Sequence, residues 1–369
     1  MSSKSFDKIL IRILISNTGL PSAKIGSWTN RITRLLESHP KLFDWILSPT
    51  DTPGGQFVYC RKEKAKPGIL AKILRKSPAL LVASQYFKAL ERLTKDQTEI
   101  QLLVMDDLAL LEAIADWKTR QKSTVRLDFS FHGHSFILPE AWGKQVNKVY
   151  FLTQLGYQET RRRNDVFAPI VEIIGNGCDS NLFFPLSPAD KLQSKLSLGY
   201  RDQDKILLWV SNPRPKKGLD LFLQLGKRLQ AIYPDLKILL IGAPKDLQLA
   251  DDSWKSLGKI PNAELPNYLQ IGDFYCFTSL WKEGFGLSLI EAAKCGNQVI
   301  VSSTGGIPEV VQNLPNSYLV ESPNIIESWV EAFDQAWDSR SDFAPERDSL
   351  SNFQNLDDWN RRLLNALES

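Results

Sequence analysis

The stretch from Asp273 to Glu309 constrains the fold of this chain more than any other. Phe274 to Thr278 is a short apolar run of strand type, glycines break the pattern at Gly284 and Gly286, a helical stretch ends at Gly296, and Gln298 to Ser302 reads as a second strand. Two carboxylates punctuate it. Glu283 falls on the turn before the helix and Glu291 about two helical turns later, so one faces the mouth of a cleft and the other lies deeper along its wall. Between them Gly284, Phe285, Gly286 and Leu287 form a helix N-terminus whose N–H groups can point at an anion. A phosphate and a sugar suit such a place.

The same alternation runs through the whole chain. Lys8 to Ser16 is a buried parallel strand, Gly19 to Gly26 a loop rich in breakers, and Ser27 to Leu36 a helix. Short strands follow at Phe43 to Leu47 and Phe57 to Cys60, then a basic amphipathic helix within 61–76 that holds seven lysines and arginines. That helix is either a solvated face or a dock for anionic lipid or an acidic acceptor. Ser77-Pro78 caps a helix to about Thr94, and Ile100 to Met105, Leu108 to Lys118 and Thr124 to Ser130 read as strand, helix and strand. The last of these runs into His132 and His134, at the end of a strand where a doubly wound sheet places its ligands. A strand at Val149 to Thr153, a short helix through Arg163 and a strand at Ile170 to Ile174 close this series.

A polar segment from Ser187 to Asp204 links it to a second series: strand Ile206 to Val210, helix Leu219 to Ile232, strand Leu236 to Ile241 and a short strand near Leu257 to Ile260. The turn Ser211 to Gly218 brings three cations, Arg214, Lys216 and Lys217, to the carboxyl edge of that sheet. Asp202-Gln203-Asp204 precedes the strand and reads as a solvated turn rather than a metal site. Amphipathic segments near Ile325 to Trp337 and Leu356 to Leu367 close the chain. Strands alternating with helices mean parallel sheets, and 369 residues suffice for two cores.

Composition narrows the partners. Four cysteines without C-x-x-C spacing are expected to be buried small side chains, not disulfides or a zinc cluster. No apolar run approaches the roughly 18 residues that span a bilayer, and the start carries a charge within its apolar segment, so a cytoplasmic protein is expected. The net charge of +3 gives no reason to expect nucleic acid, but residues 1–170 hold 26 Lys and Arg against 16 Asp and Glu, and residues 171–369 hold 19 against 26. The two halves face different partners.

The phrase E-G-F-G-L-S-L-I-E at 283–291, followed by A-A-K-C-G and S-S-T-G-G-I-P-E, resembles the E-x(7)-E signature of the retaining GT-B glycosyltransferases of family 4, the group 1 glycosyl transferases. Asn176-Gly177-Cys178-Asp179, with Phe183 and Pro185, is similar to the N-G-V-D-x(3)-F-x-P passage at the end of that family's first domain. Lys217-Gly218 matches the family's K-G, whose lysine holds the donor diphosphate. The family's motif begins Gly-Arg where this chain has Ser211-Asn212, and Arg214, on the same turn, is expected to supply that cation. Gly26 keeps the first place of a Gly-Gly pair near the diphosphate, with Ser27 in the second.

The resemblance implies an α/β protein of GT-B architecture, two Rossmann-like doubly wound parallel-sheet domains facing each other across a cleft. Residues 1–175 would bind the acceptor, residues 176–350 the nucleotide-sugar donor, and a helix in 351–369 would cross back to the first domain. It implies sugar transfer with retention from a nucleotide-diphosphate sugar to a glycan or lipid-linked acceptor, with peripheral contact to an anionic membrane surface. Glu291 would hold the ribose hydroxyls, Glu283 and His132 the donor sugar with His134 nearby, and Lys217 with the Gly284 to Leu287 N–H groups the diphosphate. No metal and no cofactor is expected. The other readings are a sugar-nucleotide epimerase, a sugar phosphorylase or a catalytically idle carbohydrate-binding subunit.

Overall fold

The computed structural model describes residues 10–21, 27–51, 53–63, 83–341 and 345–369. The chain forms two compact units, the first ending at Ile174 and the second running from Gly175 to Ser369, with Thr153–Leu155 counted in the second.

The first unit is built on seven parallel strands: β1 Leu10–Ser16, β2 Trp45–Ser48, β3 Phe57–Tyr59, β4 Glu99–Met105, β5 Thr124–Ser130, β6 Lys148–Phe151 and β7 Ile170–Ile173. Their order across the sheet is β3-β2-β1-β4-β5-β6-β7. The order reverses direction between β1 and β4, and a crevice opens at the carboxyl ends of such a pair. β4 and β5 are almost wholly buried, as central strands of a parallel sheet are, and the buried polar Gln101 and Asp128 that they carry satisfy each other through a hydrogen bond from Gln101 Nε2 to the Asp128 carboxylate at 3.2 Å. The helices Ser84–Leu93 and Leu108–Thr119 carry part of this core, with Tyr86, Leu111 and Ile114 fully buried. Of the expected basic helix only Arg61–Glu63 lies within the described residues, and Gly26 lies outside them as well.

The second unit has six parallel strands: β8 Lys205–Val210, β9 Leu236–Ile241, β10 Trp254–Ser256, β11 Phe274–Phe277, β12 Gln298–Ser302 and β13 Ser317–Val320. Their order is β10-β9-β8-β11-β12-β13, again with the reversal between the first strand and the fourth. The helix Leu219–Ile232 buries Phe222, Leu225 and Leu229 on one face, and each such side chain removed from water contributes about 1.5–3 kcal/mol. The last helix, Leu356–Glu368, belongs to this unit, where Cys178 bridges to Asn355 and the backbone at Gly177 packs against Leu356 and Trp359. The Asn176–Asp179 passage thus has a structural job.

Three local expectations are corrected. The segment 187–204 is not an open linker, since Pro188–Ser197 is a helix capped by Ser187, whose hydroxyl accepts from the Asp190 N–H. β10 sits three residues earlier than the expected Leu257 to Ile260 and ends before Gly258, which turns at φ +69°. Asp204 is buried rather than solvated, held by the Arg201 guanidinium at 2.8 Å, while Lys195 Nζ donates to its backbone carbonyl at 3.0 Å. All four cysteines are free and buried, as their spacing suggested. No helix among the described residues is long and apolar enough to cross a membrane.

Candidate active site

In the second unit the reversal between β8 and β11 brings two loops together. One is Ser211 to Gly218, which leaves β8, and the other is Thr278 to Gly286, which leaves β11. Thr278 Oγ1 donates to the carbonyl oxygens of Lys217 and Gly218 at 3.0 and 3.1 Å and accepts from Trp209 Nε1 at 3.0 Å. The Leu280 N–H donates to the Lys216 carbonyl at 2.8 Å. So stitched, the loops hold Lys217 Nζ 2.5 Å from Glu283 Oε1, and the Ser279 hydroxyl donates to the same carboxylate at 2.5 Å.

Both partners of this ion pair are mostly shielded, with 23% of the Lys217 side chain and 16% of that of Glu283 exposed. A pair so placed is less weakened by water and salt than one on the surface. An ammonium has three protons to donate, so Lys217 can keep Glu283 and still take an anionic oxygen. The backbone of Glu283 is fixed too. Its carbonyl accepts from the Gly306 N–H at 2.8 Å, and a Cβ at Gly305 would lie 2.3 Å from that oxygen, so the S-S-T-G-G segment needs glycine to pack there.

The helix Leu287–Lys294 begins at Gly286, which has no side chain to cap it. No described residue accepts from the N–H of Gly284, Phe285, Gly286 or Leu287, so this end keeps the positive character that favours an anion. On the same helix Ser288 accepts from the Tyr275 hydroxyl at 2.9 Å. Glu291 follows one turn on, half-buried, and after burial itself its charge helps push the Cys178 and Cys295 thiols well above their ordinary range. Glu283 thus stands on the loop that leaves β11, and Glu291 on the helix that this loop opens. Arg214 stands apart from Lys217. It is exposed and lines a cavity of about 500 Å³ together with Lys245 and Lys259, on the β9 and β10 side of its loop.

The first unit has its own cluster at the reversal between β1 and β4. His132 stacks on Trp28, ring centroids 5.4 Å apart and planes 22° apart, and shares a hydrogen bond of 3.1 Å between its Nε2 and the Ser130 hydroxyl. Burial, and then the charge of Arg31, push its pKa well below the ordinary value, so the ring is neutral at pH 7. His134 is buried. Asp107 caps the helix that follows β4 and accepts from Lys62 Nζ at 2.8 Å and Asn17 Nδ2 at 3.0 Å.

Asp106 takes a left-handed φ of 48° at the end of β4, a conformation that costs a residue with a Cβ about 1–2 kcal/mol. In return its carboxylate accepts from the His132 N–H at 2.8 Å. Burial pushes this carboxyl up to about 6, with the His132 N–H pulling the other way. A group so raised loses its charge as the pH falls through that value, where His132 has no proton to gain. Catalytic rate is therefore expected to decline as pH drops through about 6, and Asp106→Asn, which keeps an acceptor but does not titrate, is expected to remove that decline. A pH–rate profile of both proteins checks it, and an unchanged acid limb in the variant would assign the limb elsewhere.

Sequence reasoning missed Asp106, Trp28, Arg31, Thr278 and Ser279. The paired hydroxyls after β11 and the paired aspartates after β4 were the available signals, since both stand where strands end.

Residues 190–353 match the family described as glycosyl transferases group 1, and this span holds Lys217, Glu283 and Glu291. This span is similar to the group 1 glycosyl transferases. The chain is 28% identical over 225 residues to a GDP-mannose-dependent monoacylated alpha-(1-6)-phosphatidylinositol monomannoside mannosyltransferase of Corynebacterium glutamicum, covering 55% of this chain and 58% of that protein. It is also 28% identical over 220 residues to the GPI3 subunit of phosphatidylinositol N-acetylglucosaminyltransferase from Saccharomyces cerevisiae, covering 55% of this chain and 47% of that one. The matches thus span about half the length of these curated relatives.

Among solved structures, a sucrose-phosphate synthase from Thermosynechococcus elongatus superposes with a TM-score of 0.73 at 17% identity, covering 97% of this chain and 98% of the other. An Anabaena protein, HepE, in complex with UDP and glucose superposes at 0.67 with 18% identity, covering 97% and 99%. Likeness over the whole length at so little identity establishes the fold, which is GT-B, with two Rossmann-like parallel-sheet units.

Proposed function

We propose that this protein transfers a sugar from a nucleotide-diphosphate donor to a lipid-linked or glycan acceptor, with retention at the anomeric carbon. The observation that carries this reading is the Lys217–Glu283–Ser279 cluster beside an uncapped helix start at the strand reversal of the second unit. A sugar diphosphate needs positive charge for its phosphates and a carboxylate for its sugar, and this loop pair offers both within one hydrogen bond. Glu291 would take the ribose hydroxyls, because a carboxylate accepts two hydrogen bonds from a diol. His132, neutral and stacked on Trp28, would contact the transferred sugar from the acceptor-binding unit.

The names of the relatives support a lipid-linked acceptor, as the Corynebacterium and Saccharomyces proteins are both named for phosphatidylinositol substrates. Peripheral contact with an anionic membrane follows from such an acceptor and from the basic first half of the chain. The test is to incubate the protein with UDP- and GDP-linked sugars, with and without phosphatidylinositol acceptors, and to determine the anomeric configuration of the product. A glycosylated acceptor with the donor's configuration is expected. Inversion would overturn retention, and donor consumed without acceptor would favour an epimerase.

Charge on the leaving diphosphate is met here by Lys217 and backbone N–H groups. Transfer is therefore expected to proceed undiminished in excess EDTA, measured as initial rate. A rate restored only by manganese or magnesium would remove Lys217 from its assigned place.

A further inference from the structure

The helix Leu287–Lys294 ends on a lysine that is only 2% exposed. Lys294 Nζ donates to the Leu350 carbonyl at 2.6 Å, to the Ser351 carbonyl at 3.2 Å and to the Ser180 hydroxyl at 3.0 Å. Its three protons thus meet three neutral oxygens, and no carboxylate among the described residues pairs with it. Burial lowers its pKa from the ordinary lysine value, so the charge is held against a desolvation cost. Such a group keeps its neighbours to one geometry, because a donor that lost its acceptor here would be buried without a partner.

What it holds is the segment from Pro345 to Asn355, which leads into the last helix. Ser180 donates in turn to the Ser351 carbonyl at 2.8 Å, the Cys178 N–H to the Gln354 carbonyl at 2.8 Å, and the Leu356 N–H to the Cys178 carbonyl at 3.1 Å. Nearer its start, the Arg347 guanidinium lies 3.9 Å from the centre of the Phe184 ring. The segment is a strap tied at both ends, and Lys294 joins the helix to it.

Ser288, Glu291 and Lys294 stand three residues apart and so form one row along this helix. Tyr275 holds the row at one end, its hydroxyl 2.9 Å from that of Ser288, and the strap holds it at the other. Glu291 lies between, about 4.5 Å of helix rise from Lys294. We infer, on the donor reading above, that Lys294 is a positioning residue: it seats the end of this helix on the strap and so sets where the Glu291 carboxylate meets the donor's ribose. Without it the helix stays fixed at Ser288 and is released at its far end. Glu291 then moves, whereas the N–H groups at the helix start keep their place.

The experiment is a double-mutant cycle, read by calorimetric titration of the whole protein with UDP, GDP and inorganic diphosphate. Lys294→Met is expected to weaken whichever nucleotide binds more tightly by about tenfold and to leave diphosphate within about twofold of wild type. In the Glu291→Ala background the same change is expected to weaken the nucleotide by less than about twofold further, because the contact it positions is already gone. A side chain that only stabilised the fold would lower the melting temperature and leave these affinities alone, so titration well below the melting transition separates the two roles. Ser180→Ala, which removes one of the three acceptors and the tie to Ser351, is expected to show the same coupling at about threefold, and it carries the test if Lys294→Met does not fold. Unchanged nucleotide affinity in the folded variants, equal losses with and without Glu291, or an equal loss of diphosphate affinity would overturn the inference and leave the donor reading standing. Wild type that binds no nucleotide, or Glu291→Ala that binds as wild type does, overturns the donor reading at Glu291 and the inference with it.

Discussion

Glu283→Gln is expected to lower kcat by about two to three orders of magnitude while nucleotide affinity changes little. The substitution keeps the shape and one acceptor oxygen, so Ser279 and Lys217, each 2.5 Å from the present carboxylate, retain a partner and the loops stay joined. What disappears is the negative charge, which in the proposed reaction faces the sugar as positive charge develops at its anomeric carbon. A charge fixed in advance by a shielded ion pair needs no reorganisation during the reaction, and interactions of this kind typically account for about 10²–10³ in kcat each. Single-turnover kinetics with calorimetric nucleotide binding separates the two quantities. A kcat within threefold of wild type would remove Glu283 from the reacting centre, and a loss confined to affinity would make it a binding residue.

Gly218→Ala is expected to destabilise the second unit by about 3 kcal/mol, a fall in melting temperature of roughly 6–12 °C. Gly218 has φ +70°, and a Cβ built there would sit 2.1 Å from the Thr278 carbonyl oxygen. The left-handed backbone accounts for about 1–2 kcal/mol of this, and the overlap with backbone for a further 1–3. The loop has no easy way to yield, since Thr278 Oγ1 and the Leu280 N–H tie Lys217 and Lys216 in place. Gly199→Ala is the control, because Gly199 has φ +84° with nothing within 4 Å of its added Cβ. It should show only the smaller backbone effect. Equal shifts in the two variants, read by thermal melting, would mean that the close approach to Thr278 does not matter.

The central strands were readable because of what surrounds them. β5, β9 and β12 coincide with the runs expected, since β9 and β12 are mostly unbroken runs of Val, Ile and Leu, β5 alternates Val125, Leu127 and Phe129 with polar residues, and polar or glycine residues mark their ends. β13 escaped notice. It is an edge strand of four residues with Leu319 exposed, so neither alternation nor an unbroken apolar run sets it apart. The helix Pro188–Ser197 was hidden by its polar surface, although Ser187-Pro188 is the start signal of a capped helix.

By itself the sequence determined two parallel-sheet units, the phosphate-ready helix start and the pair Glu283 and Glu291, because these depend on local period and on spacing within one turn and helix. The tertiary structure alone decided that Lys217 pairs with Glu283 across 66 residues, that Arg214 opens to a different cavity from its neighbour on the same turn, and that Asp106 bends into a left-handed conformation to hold His132. Each of those follows from which strands the sheet places side by side. That order is a property of long-range packing, and no window of neighbouring residues contains it.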